Sequence, residues 1–287
     1  MTLRPRRLAA VLLLFVVCTL LCVLVSPKKI PPATYDYRVQ HHTVPTQLHT
    51  TAPAAAPHNP PSVQPLTYTS DGQTLKVWLA RPNQPQPHPV IVYLHAGTAL
   101  EQAEWDAVQA FVDAGYAVVA PTWRGEHGNP GIYSLCYDEV DDAVAAVQWA
   151  AQQPGLDSRR MFAFGNETGG VMAGFLAMYG ELPLLATASV SALYFPQDLD
   201  QVGVPLPFVD TRIEREMRTL TPFFEQPVLP HIAYLGELDP LVAPHADKLL
   251  EASERGGIRI NLFWMPTERH SALQPAIQAF MAQIGDE

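Results

Sequence analysis

The residues best placed to do chemistry in this sequence surround Glu167. Residues 159–175, RRMFAFGNETGGVMAGF, pass from an apolar run (Met161-Phe162-Ala163-Phe164) through Gly165-Asn166-Glu167-Thr168-Gly169-Gly170 into a second apolar run with small residues at helical spacing. This reads as strand, sharp turn and helix. Glycines stand two places either side of Glu167, where a Cβ would collide with neighbouring backbone in so tight a turn. Such a turn holds a nucleophile clear of the backbone in the pattern G-x-S-x-G. Here the pattern reads G-N-E-T-G, so Glu167 occupies the serine position.

That exchange changes the chemistry. A serine attacks a carbonyl carbon because a histidine removes its proton as the bond forms. Glutamate is already ionised and has no proton to give up. Its attack on an ester or amide would produce a mixed anhydride, uphill from either substrate. Ordinary serine esterase or peptidase action is therefore not expected at Glu167. Ser189, Ser191 and Ser271 lie outside any elbow pattern and do not substitute.

Other reactive side chains have plainer explanations. Cys136 is the one cysteine outside the apolar N-terminal run, so it has no disulfide partner in the rest of the chain and reads as a buried structural thiol. His41, His42, His49 and His58 sit in a Pro-rich stretch and read as solvated rather than metal-binding. Asp138, Glu139, Asp141 and Asp142 open a helical pattern, where they suit the positive end of the helix dipole. No metal or other cofactor is expected.

The elements that must position Glu167 follow a long N-terminal preamble. Residues 8–25 form an uninterrupted apolar run behind Arg4, Arg6 and Arg7, just long enough to cross a bilayer as a helix. A cleaved signal peptide is the competing reading, but no A-x-A-like site follows, and Pro27 stands where cleavage would fall. Residues 1–26 are expected to be a retained signal anchor, with the N-terminus cytoplasmic and the domain outside, periplasmic or extracellular. Residues 27–62, rich in Pro, Thr, Ala and His, read as a linker, partly polyproline II, that holds the domain away from the membrane. Beyond residue 29 the chain carries 13 basic and 28 acidic residues, a net charge of −15. Such a surface repels phosphate backbones, so nucleic acid is not an expected partner.

From residue 63 strands alternate with helices. VQPLTYTS and TLKVWLARP flank the turn Asp71-Gly72 and read as a hairpin. The apolar runs 89–95 and 117–123 read as strands buried on both faces, with a helix over 101–115 between them that Gly115 can end. A helix over 138–154 precedes the Glu167 segment. Strands are expected at 186–193, 231–239 and 258–266, with helices at 246–257 and from Ser271, where Ser271 and Gln274 match a capping box. Residues 195–229, with several prolines and the charged stretch TRIEREMRTL, read as an inserted cap or an irregular helix. Repeated strand–helix units require a mostly parallel central sheet with helices on both faces.

In this order the pieces LTYTSDGQTLKVWLARP, HPVIVYLHAG, DAGYAVVAPTWRG, DEVDDAVAAVQWAAQQPGLDSRRMFAFGNETGG, LGELDPLVAP and PTERHSAL resemble the α/β-hydrolase superfamily, and within it the prolyl-oligopeptidase-like and dienelactone-hydrolase-like branches. The resemblance covers nearly all of residues 66–285. It implies an α/β-hydrolase fold over residues 63–287. It also implies that Asp239, after the seventh strand, stands where the triad acid does, and that His270, after the last strand, stands where the base does. His95-Ala96-Gly97 stands for His-Gly-Gly, which places the oxyanion donors at Ala96, Gly97 and, one past the elbow, Thr168. His95 itself reads as structural, and Arg124 as an ion-pair partner inside the domain.

The expectation is a membrane-anchored α/β-hydrolase-fold pseudoenzyme with a binding or scaffolding role, its Glu167 paired with His270 or folded into the oxyanion hole. A small molecule or peptide would be the ligand, and no protein partner is legible. The alternative is an active hydrolase. In it, Glu167 attacks saturated carbon as a carboxylate nucleophile, as in epoxide or halide cleavage, or Glu167 and His270 activate water.

Overall fold

Runs rich in Val, Ile and Ala pair into one eight-stranded sheet. The computed structural model of the chain describes residues 34–46, 63–97, 99–126, 128–203, 205–256 and 259–285. The strands are β1 (Val63–Ser70), β2 (Gln73–Ala80), β3 (His88–Leu94), β4 (Ala117–Pro121), β5 (Leu156–Asn166), β6 (Ala186–Val190), β7 (His231–Gly236) and β8 (Ile260–Met265). Their order across the sheet is β1-β2-β4-β3-β5-β6-β7-β8. β2 runs antiparallel to both its neighbours, and every pairing from β4 to β8 is parallel. Asp71 and Gly72 turn the first hairpin with φ of 48° and 74°, the left-handed pair that a two-residue hairpin loop needs.

Alternation along the strands divides the core between the two faces. Val90, Val92, Leu94 and Ala163 point to one side and pack with α3 (Glu139–Ala150) and α4 (Thr168–Leu176). Ile91, Tyr93, Phe162 and Phe164 point to the other, against α2 (Gln102–Asp113) and α7 (Leu273–Ile284). Burying one such large apolar side chain is worth about 1.5–3 kcal/mol, so each face supplies ample stability to fix the strand register. β8 lies at the sheet edge beside α6 (Ala246–Gly256). The span 195–229 holds one short helix, α5 (Arg212–Glu216), between 3-10 turns at Pro196–Gln201 and Thr221–Phe223.

The fold departs from the sequence reading first at Ser271 and then in the linker. The capping box at Ser271 does not form. α7 begins at Leu273 behind a 3-10 turn, the Ser271 hydroxyl donates to Glu268 O at 3.3 Å, and Gln274 Nε2 reaches Ala107 O on α2 at 2.9 Å. Tertiary contact outcompetes the local cap.

The second departure is in the linker, of which residues 34–46 are not a free spacer. They form α1 (Tyr35–Gln40), capped by Thr34, and then a bridge from Pro45 to Phe208. Arg38 explains this: its guanidinium is buried and donates to three main-chain carbonyls of the domain. Residues 34–46 are thus held against the domain that follows from residue 63. The expected anchor, residues 1–26, lies outside the described residues, as do His49 and His58. Among the described residues no helix is long and apolar enough to cross a membrane.

Candidate active site

β5 ends at Asn166 and α4 begins at Thr168, so a single residue makes the turn. Glu167 takes φ 48° and ψ −109°, a left-handed conformation that costs a side-chain-bearing residue roughly 1–3 kcal/mol. Two things hold it there. Its N–H donates to Val190 O at 2.9 Å, tying the apex to β6. The flanking glycines permit the approach: a Cβ on Gly165 would stand 2.0 Å from Gly169 O, and one on Gly169 2.0 Å from Leu94 O.

The Glu167 carboxylate is 29% exposed, with Oε1 3.4 Å from His270 Nδ1 and 3.9 Å from Arg269 Nε. His270, on the 3-10 turn before α7, has its side chain 86% exposed. Asp239 is fully buried and is satisfied elsewhere: Oδ1 accepts Leu241 N–H at 2.8 Å, and Oδ2 accepts Arg269 Nη1 at 3.1 Å. The structure therefore brings Glu167, Asp239 and His270 into one site without the Asp239–His270 pairing that the resemblance implies. Arg269, next in sequence to the expected base, bridges the two carboxylates instead.

The oxyanion side also differs. Gly97 and Thr168 line the cavity at Glu167, but the Ala96 N–H donates at 2.9 Å to Glu104 Oε1, which also receives Asn166 Nδ2 at 3.0 Å and the Tyr93 hydroxyl. Ala96 is thus committed to a protein carboxylate. Behind this loop His95 is structural, as expected. Its Nε2 meets Glu126 Oε2 at 3.0 Å with both side chains fully buried, and its ring stacks on Trp123. Burial alone would keep the imidazole neutral, but the charge and hydrogen bond of Glu126 outweigh it and raise the His95 pKa. The Glu126 carboxylate also accepts Trp123 N–H at 2.6 Å and Leu100 N–H at 2.7 Å, fixing the loop between β3 and α2.

The cavity in front of Glu167 measures about 430 Å³. Tyr133, Leu135, Leu193, Val202 and Leu241 give it largely apolar walls, and Glu167, Arg269 and His270 its polar end. Val202 and Gln201 come from the span 195–229, so part of that span borders the cavity. The helix acids serve the scaffold. Asp142 forks onto Arg124 at 2.6 and 3.0 Å. Glu139 takes Ser134 N–H at 2.6 Å and is pushed up to about 7 by burial. His41 meets Glu214 at 3.2 Å, and among the described residues no group of His, Cys, Asp and Glu is arranged to hold a metal.

Comparison with known proteins agrees with this frame. Residues 71–199 match the family model of X-Pro dipeptidyl-peptidases, family S15. An uncharacterised peptidase of Bacillus subtilis, YtmA, is 29% identical over 108 residues, 37% of this chain and 42% of that protein. An ethyl acetate hydrolase of Pseudomonas putida is 32% identical over 128 residues, 38% of this chain and 36% of that protein. Among solved structures, an esterase of Pyrococcus furiosus superposes with a TM-score of 0.63 at 14% identity, covering 86% of this chain and 97% of that one.

The chain has the α/β-hydrolase fold.

Its matches to the two curated relatives span less than half of their length. Within this α/β-hydrolase fold, sequence reasoning did not single out Arg269, Glu104 or Arg38. Arg269 had one signal, a cation beside the expected base. Glu104 had another, a carboxylate in the first turn of the helix that follows the His-Ala-Gly loop. Arg38 was hidden in a Pro-rich stretch, marked only by the Thr34 cap and the helical spacing after it.

Proposed function

We propose that this α/β-hydrolase-fold domain binds a ligand in the Glu167 cavity and performs no serine-hydrolase chemistry there. One observation carries the reading: the elbow apex presents a carboxylate, and the acid that would orient the histidine is held by Arg269 at 3.1 Å. The elbow apex has no nucleophilic hydroxyl, and Asp239 is not paired with His270 to activate one. The ligand is a small molecule or a peptide end that fits a cavity of about 430 Å³ with largely apolar walls. Esters and peptides are the classes suggested by the relatives, an ethyl acetate hydrolase and an uncharacterised peptidase.

The alternative of a carboxylate nucleophile at saturated carbon also needs an oriented base, and His270 contacts Glu167 rather than Asp239. Intact-mass spectrometry after incubation with a fluorophosphonate and with a terminal epoxide separates the readings. The proposal expects no adduct from either reagent. An epoxide adduct mapped to Glu167 would overturn it.

The proposal includes a place at a membrane, with residues 1–26 as anchor, on the strength of the apolar run and the arginines ahead of it. Alkaline carbonate extraction should leave the full chain in the membrane pellet, and its release would remove this part.

A further inference from the structure

Segment 133–137 frames the cavity and is held in a conformation it would not choose. Leu135 and Cys136 are consecutive left-handed residues, φ 58° and 60°, and neither is glycine or asparagine. Yet the segment touches the site in three ways. The Leu135 side chain lines the cavity, the Tyr133 hydroxyl donates to Gly97 O at 3.2 Å, and Cys136 Sγ lies 3.5 Å from Thr168 O at the start of α4.

Two buried arginines and one buried carboxylate hold these five residues. Arg218 Nε donates to Ser134 O at 2.9 Å. Glu139 accepts the N–H groups of Ser134 and Tyr137 at 2.6 and 3.3 Å. Arg38 supplies the rest: Nη2 donates to Cys136 O at 3.1 Å and to Tyr137 O at 2.9 Å, while Nε reaches Met217 O at 3.1 Å. Its guanidinium lies 4.2 Å from the Phe175 ring centre, on α4, and 5.0 Å from that of Tyr137. A planar fork that satisfies carbonyls while stacking on rings is specific to arginine.

We infer that Arg38 is a positioning residue for the cavity: the segment 34–46 is a strap whose docking sets the Leu135 wall and the elbow helix behind it. The strap is seated at several further points. Tyr35 N–H donates to Gln226 Oε1 at 2.8 Å, and Thr43 Oγ1 donates to Glu214 Oε2 at 2.8 Å and accepts from Arg218 Nη2 at 2.6 Å. Thr46 N–H donates to Pro207 O at 3.0 Å. Because the strap and the cavity share segment 133–137, undocking of residues 34–46 at Arg38 also changes the cavity, and by linkage an occupant that prefers the docked form of the cavity favours the docked strap. The inference depends on the cavity and not on the absence of hydrolysis.

The test uses the full chain with Arg38→Ala, Arg38→Lys and, as a control that removes the strap's contact at Tyr35 while leaving Arg38 in place, Gln226→Ala. Two signals are read: hydrogen exchange of the 134–137 amides, and the methyl resonances of Leu135. Arg38→Ala is expected to raise exchange in 134–137 at least tenfold and to shift the Leu135 methyls, with the amides of β5 unchanged. Added methylguanidinium at millimolar concentration should restore both signals. Arg38→Lys should behave as Arg38→Ala, since one ammonium cannot span three carbonyls, and Gln226→Ala should leave Leu135 where it was. If Arg38→Ala does not fold, Arg38→Gln is read the same way. Faster exchange confined to residues 34–46, with segment 134–137 and Leu135 unmoved, would overturn the inference.

Discussion

Replacing Glu167 by serine should not by itself return activity to this site. The variant Glu167→Ser supplies a hydroxyl at the elbow apex, but Asp239 remains bonded to Arg269 Nη1 at 3.1 Å in a fully buried position. For His270 to act as base, it must turn from the cavity and displace that guanidinium. A charge-assisted hydrogen bond of this kind is worth about 1.5–3 kcal/mol net. At 1.36 kcal/mol per tenfold, the assembled triad is then populated roughly 10- to 150-fold less than it would be without Arg269.

The double variant Glu167→Ser/Arg269→Ala removes the competitor and leaves Asp239 buried without a cation, which draws His270 inward. The main-chain carbonyl of residue 269, which accepts the Ser191 hydroxyl at 2.9 Å, is retained. Initial rates on p-nitrophenyl butyrate should therefore be about 10- to 150-fold higher for the double variant than for the single one. His270→Ala in the double background should erase the gain. Equal rates in the single and double variants, at any level, would refute the reasoning, because Arg269 would not be what withholds the acid.

Two further predictions concern the scaffold. Gly169→Ala should destabilise the protein by about 3 kcal/mol or more in urea titration, because its Cβ would meet the Leu94 carbonyl at 2.0 Å and backbone on both sides cannot give way. Gly180→Ala, whose nearest neighbour would be a Val228 methyl at 4.0 Å, should be nearly neutral in the same titration.

Glu139 gives a pH dependence. Burial raises its pKa from 4.5 to about 7 in the folded state, so the folded protein binds the proton more tightly than the unfolded chain. The stability from this group is complete below about pH 4.5 and is lost as pH rises through about 7. Glu139→Gln should flatten that decline, so that its stability relative to wild type rises by up to a few kcal/mol between pH 5 and pH 8. A constant difference across that range would show that Glu139 is ionised throughout.

The fold was legible because its determinants are local and repeated. The hairpin turn Asp71-Gly72, the apolar runs of β3 and β4, and the glycines at 165 and 169 each specify their own geometry, and their order along the chain specifies the sheet. The site was legible only to the level of which segments meet. Arg269 and His270 are adjacent, and which of two neighbours faces Asp239 depends on the 3-10 turn at Arg269–Ser271, a tertiary outcome with no sequence period. Ala96 gave no sign that Glu104 would take its N–H, because the two meet only when α2 folds back over the loop after β3. Arg38 was invisible for the same reason: its partners are main-chain carbonyls of residues 136, 137 and 217, which no residue type announces. Composition did describe its neighbourhood as Pro-rich, but one buried guanidinium was enough to fix it to the domain.

The most direct test of the central claim is the rate at which the wild-type full chain hydrolyses p-nitrophenyl acetate and butyrate, measured beside Glu167→Gln. With a carboxylate at the elbow and Asp239 held by Arg269, both proteins should match the buffer rate within error. Turnover by the wild type that Glu167→Gln abolishes would contradict the account and make Glu167 a catalytic residue.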